Sequence, residues 1–327
     1  MGQEMKKEEL NPKIIRNVAV IGAGLMGHGI AQVFAQGGCS VMLYDIDEAI
    51  LNSALDKIAS NLRIYVKMGI EDDSFVNTVM SMITTTTDLR DALQGAQYIT
   101  EAIPEDMSLK KNMFEQIDAF TSEDVILASN TSMLSITEMT KSLKKADRAI
   151  ITHWFNPPYL VPVVEVVRGQ RTSDATLKAT VEFLEGMGKE PVKILKEVPG
   201  FLVNRIQTAM FREVLALLDA GVASPEDIDK AVRGSFGVRL PIIGPLATAD
   251  LGGLDLWHKG TKHLFPLLDS SKEPQNVLTD KVEKGFFGYK TKKGFFEYGA
   301  DNTKGEEAQA RDMAMINILK ILYPKKR

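Results

Sequence analysis

Two hydrophobic periodicities divide this chain. Up to about Gly200, short apolar runs alternate with longer stretches whose apolar residues recur at helical spacing; after it only the helical spacing continues. The runs Val18–Ile21, Val41–Tyr44, Tyr98–Thr100, Val125–Ala128 and Ala149–Thr152 read as buried strands, with further short strands over Val163–Val167 and Val192–Leu195. Between them, helices are predicted over Leu25–Gln36, Asp47–Lys67, Ser74–Met82, a stretch ending at Phe120, and about Ser173–Met187. On the second helix Ile50, Leu51, Ala54, Leu55, Ile58 and Leu62 form the apolar stripe, and Gly69 punctuates the turn after it. Strands alternating with helices predict an α/β domain with a parallel sheet. In the second half, Phe201–Val222 reads as a long helix. Ser224 then caps another, with Pro225 at its first position, and helices continue to Ile321. The boundary falls at Glu197–Gly200, giving an arm over 1–16, an α/β domain over 17–199 and an all-helical C-terminal domain over 200–327.

The first strand runs directly into Gly22, Gly24 and Gly27, which have the G-x-G-x-x-G spacing, and then into a helix. A strand turning sharply into a helix needs Gly22 for the bend, Gly24 for close approach of a pyrophosphate and Gly27 for helix–strand packing. The unpaired N–H groups of the helix then face the phosphates. The second strand ends on Asp45, 21 residues after Gly24, close to the spacing of about 20 at which an acidic residue meets the ribose. This is a dinucleotide-site pattern on a Rossmann-type, doubly wound sheet. Asp45 selects NAD over NADP, because a carboxylate accepts from a 2′-OH and repels a 2′-phosphate.

Composition narrows the surroundings more than the chemistry. Hydrophobic residues make up 44% and charged residues 25%, and the net charge of −4 gives no basis for nucleic acid or an anionic membrane as partner. The single Cys39 excludes an intramolecular disulfide, and no Cys/His cluster has zinc spacing. The first 16 residues resemble neither a secretory signal nor a transit peptide, Lys6 breaks the myristoylation pattern, and no stretch has the length of a membrane helix. The expectation is a cytoplasmic protein.

Ligands of open α/β sheets bind beyond the carboxyl ends of the strands, which gathers Asp45, Glu105, Ser132 and His153 on the edge that carries the glycine turn. After His153, Pro157 and Pro158 enforce a turn that returns the next strand beside it. Glu165 on that strand is flanked by Val163, Val164, Val166 and Val167. A carboxylate there needs a partner, and His153 is the sensible one. The pair is either a structural strand clamp or a general-base dyad, in which the carboxylate fixes the imidazole tautomer. Ser132 and Asn204 are either substrate hydrogen-bonding groups or cap and turn residues. Arg63 and Lys67, with Lys57, form either a solvated helix face or a perch for an anionic handle.

These residues sit within longer motifs: GAGLMGHGIAQ from Gly22, Glu-Ala-x-x-Glu at 101–105, SNTS from Ser129, His153 with Asn156-Pro157, PGFLVNR from Pro199, EDID from Glu226, LGGLD from Leu251 and KGF from Lys293. Together they resemble the L-3-hydroxyacyl-CoA dehydrogenase family, including the 3-hydroxybutyryl-CoA dehydrogenases, over nearly the whole chain. The resemblance implies reversible NAD-dependent oxidation of an L-3-hydroxyacyl-CoA, as in fatty-acid β-oxidation, by a homodimer. His153 is then the base, Glu165 its orienting partner, and Ser132 and Asn204 bind near the reacting carbon. The turn residues Gly22, Gly24, Leu25, Met26 and Gly27, together with Asp45, bind NAD. Glu105, Lys110, Ser132, Asn156 and Lys290 are implied as further NAD contacts, although by pattern alone Lys110 and Lys290 read as solvated lysines.

The chain departs from the family pattern where substrate selection is expected. Positions at which animal relatives carry a serine and a lysine that touch CoA hold Asn61 and Met68. Arg63 and Lys67 substitute for them only if a shift of about 100° per residue around the helix is tolerated. The segment GVRLPIIGP from Gly237 is similar to relatives that oxidise free hydroxy acids, such as L-gulonate and carnitine dehydrogenases. There Arg239 is either a carboxylate clamp or a surface residue. A small free hydroxy acid is therefore the alternative substrate class. A non-catalytic, crystallin-like NAD-binding protein is the alternative from outside enzymology.

Overall fold

The computed structural model describes residues 15–299 and 304–324, so most of the expected arm, and the residues around 301, lie outside the described residues. An eight-stranded sheet organises the first part of the chain. In chain order β1 (Asn17–Ile21), α1 (Gly27–Gln36), β2 (Ser40–Tyr44), α2 (Glu48–Lys67), α3 (Asp73–Ser81), β3 (Ile83–Thr86), α4 (Leu89–Leu93), β4 (Tyr98–Glu101), α5 (Met107–Phe120), β5 (Ile126–Ser129), α6 (Ile136–Met139), β6 (Ala149–Trp154), β7 (Val163–Val167), α7 (Asp174–Gly186) and β8 (Glu190–Ile194) build it. The strand order β3-β2-β1-β4-β5-β6-β7-β8 places the reversal beside β1, where the chain crosses from one half of the sheet to the other. Two apolar clusters cover the faces, one around Phe34, Tyr98, Trp154 and Phe183, the other around Ile99, Phe114, Ile117 and Ile151.

The sheet is mostly, not wholly, parallel. β6 and β7 pair antiparallel and β8 pairs parallel to β7, so the last two strands run against the other six. The β6–β7 connection is the short proline turn, too brief for the crossover that a parallel pair needs. β3, of sequence ITTT, is absent from the periodicity because threonine blurs the apolar signal. Its β-branched residues suit an edge strand. On α2 the buried stripe is Leu51, Ala54, Ile58 and Leu62, while Ile50, one step off it, is 39% exposed.

A second compact unit begins at Val203, and the first ends at Leu202. The long helix expected from Phe201 starts instead at Val203, because Gly200 and Phe201 both have positive φ (76° and 49°), which no right-handed helix accommodates. Phe201 is buried in the core of the first unit. The second unit is helical: α8 (Val203–Asp219), α9 (Pro225–Gly234), α10 (Phe236–Arg239), α11 (Pro245–Gly252), α12 (Leu254–Leu264), α13 (Asn276–Glu283) and α14 (Lys304–Leu322). Ser224 caps α9 by accepting from the Asp227 N–H, with Pro225 in the first turn. Among the described residues no helix is long and apolar enough to cross a membrane.

Candidate active site

The glycine turn has the differences between its three glycines that a dinucleotide requires. Gly22 has φ of 101°, and a Cβ on it would lie 2.7 Å from the Ala102 carbonyl oxygen. A Cβ on Gly27 would stand 1.7 Å from the Gly22 oxygen, so α1 packs onto β1 only with glycine there. A Cβ on Gly24 would meet nothing within 4 Å. The protein therefore needs no glycine at that position for its own packing, and the open space suits an approaching pyrophosphate. Asp45, at the end of β2, accepts from the Ala23 N–H through Oδ2 at 2.8 Å, tying its carboxylate to the glycine turn. Leu25, 69% exposed, and Met26 flank the start of α1, where His28 is buried and its Nδ1 contacts the Gly24 carbonyl at 2.8 Å. Burial, with the Lys57 charge nearby, holds that imidazole below its usual range despite the bond to Gly24.

Two carboxylates hold the loop after β5. Glu101 is fully buried at the end of β4. Its Oε1 accepts from Lys110 Nζ at 2.6 Å and from the Ile103 N–H at 2.8 Å, and its Oε2 accepts from Ser129 Oγ at 2.6 Å. Burial raises the Glu101 carboxyl above its ordinary range, and the Lys110 charge opposes this. Lys110 is 1% exposed, which corrects its reading as a solvated lysine. It lies one turn into α5, whose first turns face β4, and also donates to the Ile103 carbonyl at 3.2 Å and lies 3.4 Å from Glu105 Oε2. Glu105 Oε1 accepts from Thr131 Oγ1 (2.6 Å), the Ser132 N–H (2.9 Å) and Ser132 Oγ (3.2 Å). Burial alone would push the Glu105 carboxyl up, but these bonds and Lys110 outweigh it and hold the group below its ordinary value. The loop bearing Ser132 is thus fixed from beneath by a carboxylate–ammonium–carboxylate chain. Asn130 Oδ1 accepts from the Trp154 N–H at 3.0 Å and joins this loop to β6.

The β6–β7 register sets His153 directly opposite Glu165, so their side chains emerge on one face as cross-strand neighbours. His153 Nδ1–H donates to Glu165 Oε2 at 2.7 Å, and Glu165 Oε1 accepts from the Leu202 N–H at 3.0 Å. Glu165 is 0% exposed and His153 5%. Phe155 and Phe201 flank the imidazole at ring-centre distances of 4.5 and 5.6 Å. With Nδ1 engaged by the carboxylate, Nε2 is the nitrogen left to accept a proton.

The first unit therefore holds Gly22, Gly24, Leu25, Met26, Gly27, Asp45, Glu105, Lys110, Ser132, His153, Asn156 and Glu165. Arg63 and Lys67 are exposed on α2, and the Asn61 Nδ2–H donates to Gln32 Oε1 of α1 at 3.0 Å. Asn204, Arg239 and Lys290 belong to the second unit, Asn204 near the start of α8 and the other two exposed. Sequence reasoning overlooked Lys189, which is 5% exposed beside the proline turn, and Glu197, which caps α6 by accepting from the Ile136 N–H at 2.7 Å. A proline-rich turn short of N–H donors was the available signal for Lys189.

Comparison with known proteins finds relatives over nearly the whole chain. The chain is 32% identical over 309 residues to 5-formyl-3-hydroxy-2-methylpyridine 4-carboxylate 5-dehydrogenase of Mesorhizobium japonicum, covering 94% of this chain and 99% of that one. It is 37% identical over 300 residues to the mitochondrial hydroxyacyl-coenzyme A dehydrogenase of Sus scrofa, covering 87% and 92%. A crystal structure of an enzyme that acts on the same pyridine carboxylic acid, described as an NAD+-dependent dismutase, superimposes with a TM-score of 0.87 over 96% of this chain and 100% of that one, at 32% identity. Residues 17–198 match the NAD-binding domain, and residues 200–298 the C-terminal domain, of 3-hydroxyacyl-CoA dehydrogenase. The chain belongs to the 3-hydroxyacyl-CoA dehydrogenase family and is an NAD-dependent oxidoreductase.

Proposed function

We propose that the chain interconverts a secondary alcohol and its ketone, with His153 as the general base. The observation that carries this reading is the buried His153–Glu165 pair at 2.7 Å. As the alcohol is oxidised, its O–H proton passes to His153 Nε2, its C–H electron pair and proton leave together as hydride, and the C=O bond forms. NAD supplies the hydride acceptor. Glu165 keeps the imidazole in the tautomer that accepts on Nε2 and stabilises the cation that results. Ser132 and Asn204 bind the reacting oxygen. Glu105, Asn156 and Lys290 contact NAD, and Lys110 contributes by holding Glu105.

For the substrate, a small free hydroxy acid stands ahead of an L-3-hydroxyacyl-CoA. Asn61, at a position where CoA contact was expected, is engaged with Gln32 of α1. Arg239 is exposed and suits a carboxylate. The family models favour the thioester. Steady-state rates with acetoacetyl-CoA and NADH, against L-gulonate and L-carnitine with NAD, separate the two: thioester turnover without hydroxy-acid turnover restores the CoA ester to first place. The assembly proposed is a homodimer through the second unit, where Ile206, Met210 and Leu217 form one exposed stripe of α8.

A further inference from the structure

The turn between β6 and β7 is rich in carbonyls and poor in donors, because Pro157, Pro158 and Pro162 have no N–H. The Leu160 and Val161 N–H groups both donate to the Pro157 carbonyl, at 3.1 and 3.0 Å, and the Pro162 carbonyl accepts from the Glu190 N–H at 2.8 Å. The carbonyls of Pro158 and Val161 are met by a side chain distant in sequence: Lys189 Nζ donates to them at 2.6 and 3.0 Å. The same ammonium lies 5.4 Å from the centre of the Trp154 ring, next to His153 in β6. A lysine ammonium that is taken out of water is costly unless its protons are bonded. Its backbone is placed independently of the turn. Gly188, with φ of 74°, closes α7, and the Lys189 N–H donates to the Leu184 carbonyl at 3.0 Å. On the other side the turn packs on α1, where a Cβ on Gly29 would fall 2.6 Å from Pro158 Cγ.

We infer that Lys189 is a positioning residue for the His153–Glu165 pair, its ammonium holding the proline turn that keeps these two side chains opposite one another. The role rests on the proposed base chemistry. An antiparallel pair joined by a short turn takes its register from that turn, and a slip of one residue would send Glu165 to the opposite face. β6 and β7 can pair without Lys189, but the three prolines of the turn have no N–H with which to replace the two bonds it gives. Lysine also suits the place better than a neutral donor, since one ammonium serves two carbonyls and rests on the Trp154 ring.

The test uses the full chain labelled with 15N-histidine, whose four imidazoles are few enough to assign, with His153→Gln identifying the His153 signals. In wild type the His153 Nδ1–H, hydrogen-bonded to Glu165, gives a downfield resonance. Lys189→Met is expected to broaden or remove that resonance while the other three histidines keep theirs, NADH affinity stays within a few-fold, and kcat falls about 10- to 100-fold, the cost of a small misplacement. An unchanged His153 resonance, or equal perturbation of all four histidines, overturns the inference. Should Lys189→Met fail to fold, Lys189→Ala in propylammonium decides. Recovery of the resonance with propylammonium, but not with propanol, supports the role, and no recovery overturns it. The base reading fails separately, if His153→Gln keeps its turnover. An inactive His153→Gln beside an unaltered His153 resonance in Lys189→Met rejects Lys189 alone.

Discussion

The two units of this chain use buried surface in opposite ways. The first buries charge along with its apolar residues: Glu101, Lys110, His153, Glu165 and Lys189 are each no more than 5% exposed, and each is hydrogen-bonded. Among its described residues the second buries only Leu215, Ile228, Ile316 and Asp312, while Ile206 (59%), Leu246 (83%), Leu256 (65%) and Phe265 (67%) are exposed. Isolated exposed apolar residues are ordinary, but the stripe of Ile206, Met210 and Leu217 along α8 is of the kind found on contact surfaces. The first unit completes its own interior and holds the His153–Glu165 pair and the glycine turn with it. The second leaves many apolar side chains exposed among its described residues.

Substitutions in the interior of the first unit should therefore act on chemistry and on the stability of the single chain, and those on the exposed stripe of α8 on assembly. The largest effect is expected from His153→Gln, which removes the base: kcat should fall about 10²- to 10⁴-fold with NADH affinity within a few-fold, and unchanged turnover would reject the dyad. Next is Lys110→Met, which strands the Glu101 carboxylate in the core at about 3–5 kcal/mol. Burial already raises this carboxyl above its unfolded value, so its stabilising contribution is complete below that value and lost as pH rises through the folded one. Without Lys110 the carboxyl rises further. Denaturant melts should then show the deficit of the variant greatest at alkaline pH and shrinking on acidification. A deficit independent of pH would show that Glu101 is not the group stranded.

Gly27→Ala and Gly24→Ala divide the glycine turn. The first should destabilise by about 1–3 kcal/mol, because its methyl meets the Gly22 carbonyl. The second should leave the melting temperature unchanged and weaken NADH binding by calorimetry; unimpaired binding would separate Gly24 from the pyrophosphate site. The smallest effect on the single chain is expected from Met210→Asp, within about 0.5 kcal/mol. Sedimentation should nevertheless show a shift from dimer to monomer, and a monomeric wild type would remove the contrast between the units.

Much of the first unit could be read from periodicity because buried strands are short apolar runs and helices carry stripes. Glu165 could be paired with His153 on sequence alone, since a carboxylate among four valines has few ways to be satisfied. Lys110 and Lys189 were hidden for the opposite reason. A lysine on a helix or before a strand reads as solvated until the sheet brings a carboxylate or bare carbonyls to it, 9 residues away for Glu101 and 31 for Pro158. The start of α8 was missed because a positive φ at Phe201 has no signature in a residue that rarely adopts it. Strand β3 was missed because three threonines carry β-propensity without hydrophobicity.

The reversal of β6 and β7 places His153 and Glu165 in one hairpin, residues 153–165, within a single unit. Here His153 and Glu165 are carried on neighbouring paired strands, so the register of one hairpin keeps the two side chains together. Natural variation can then alter α2 or the segment around Arg239 without having to rebuild the His153–Glu165 pair.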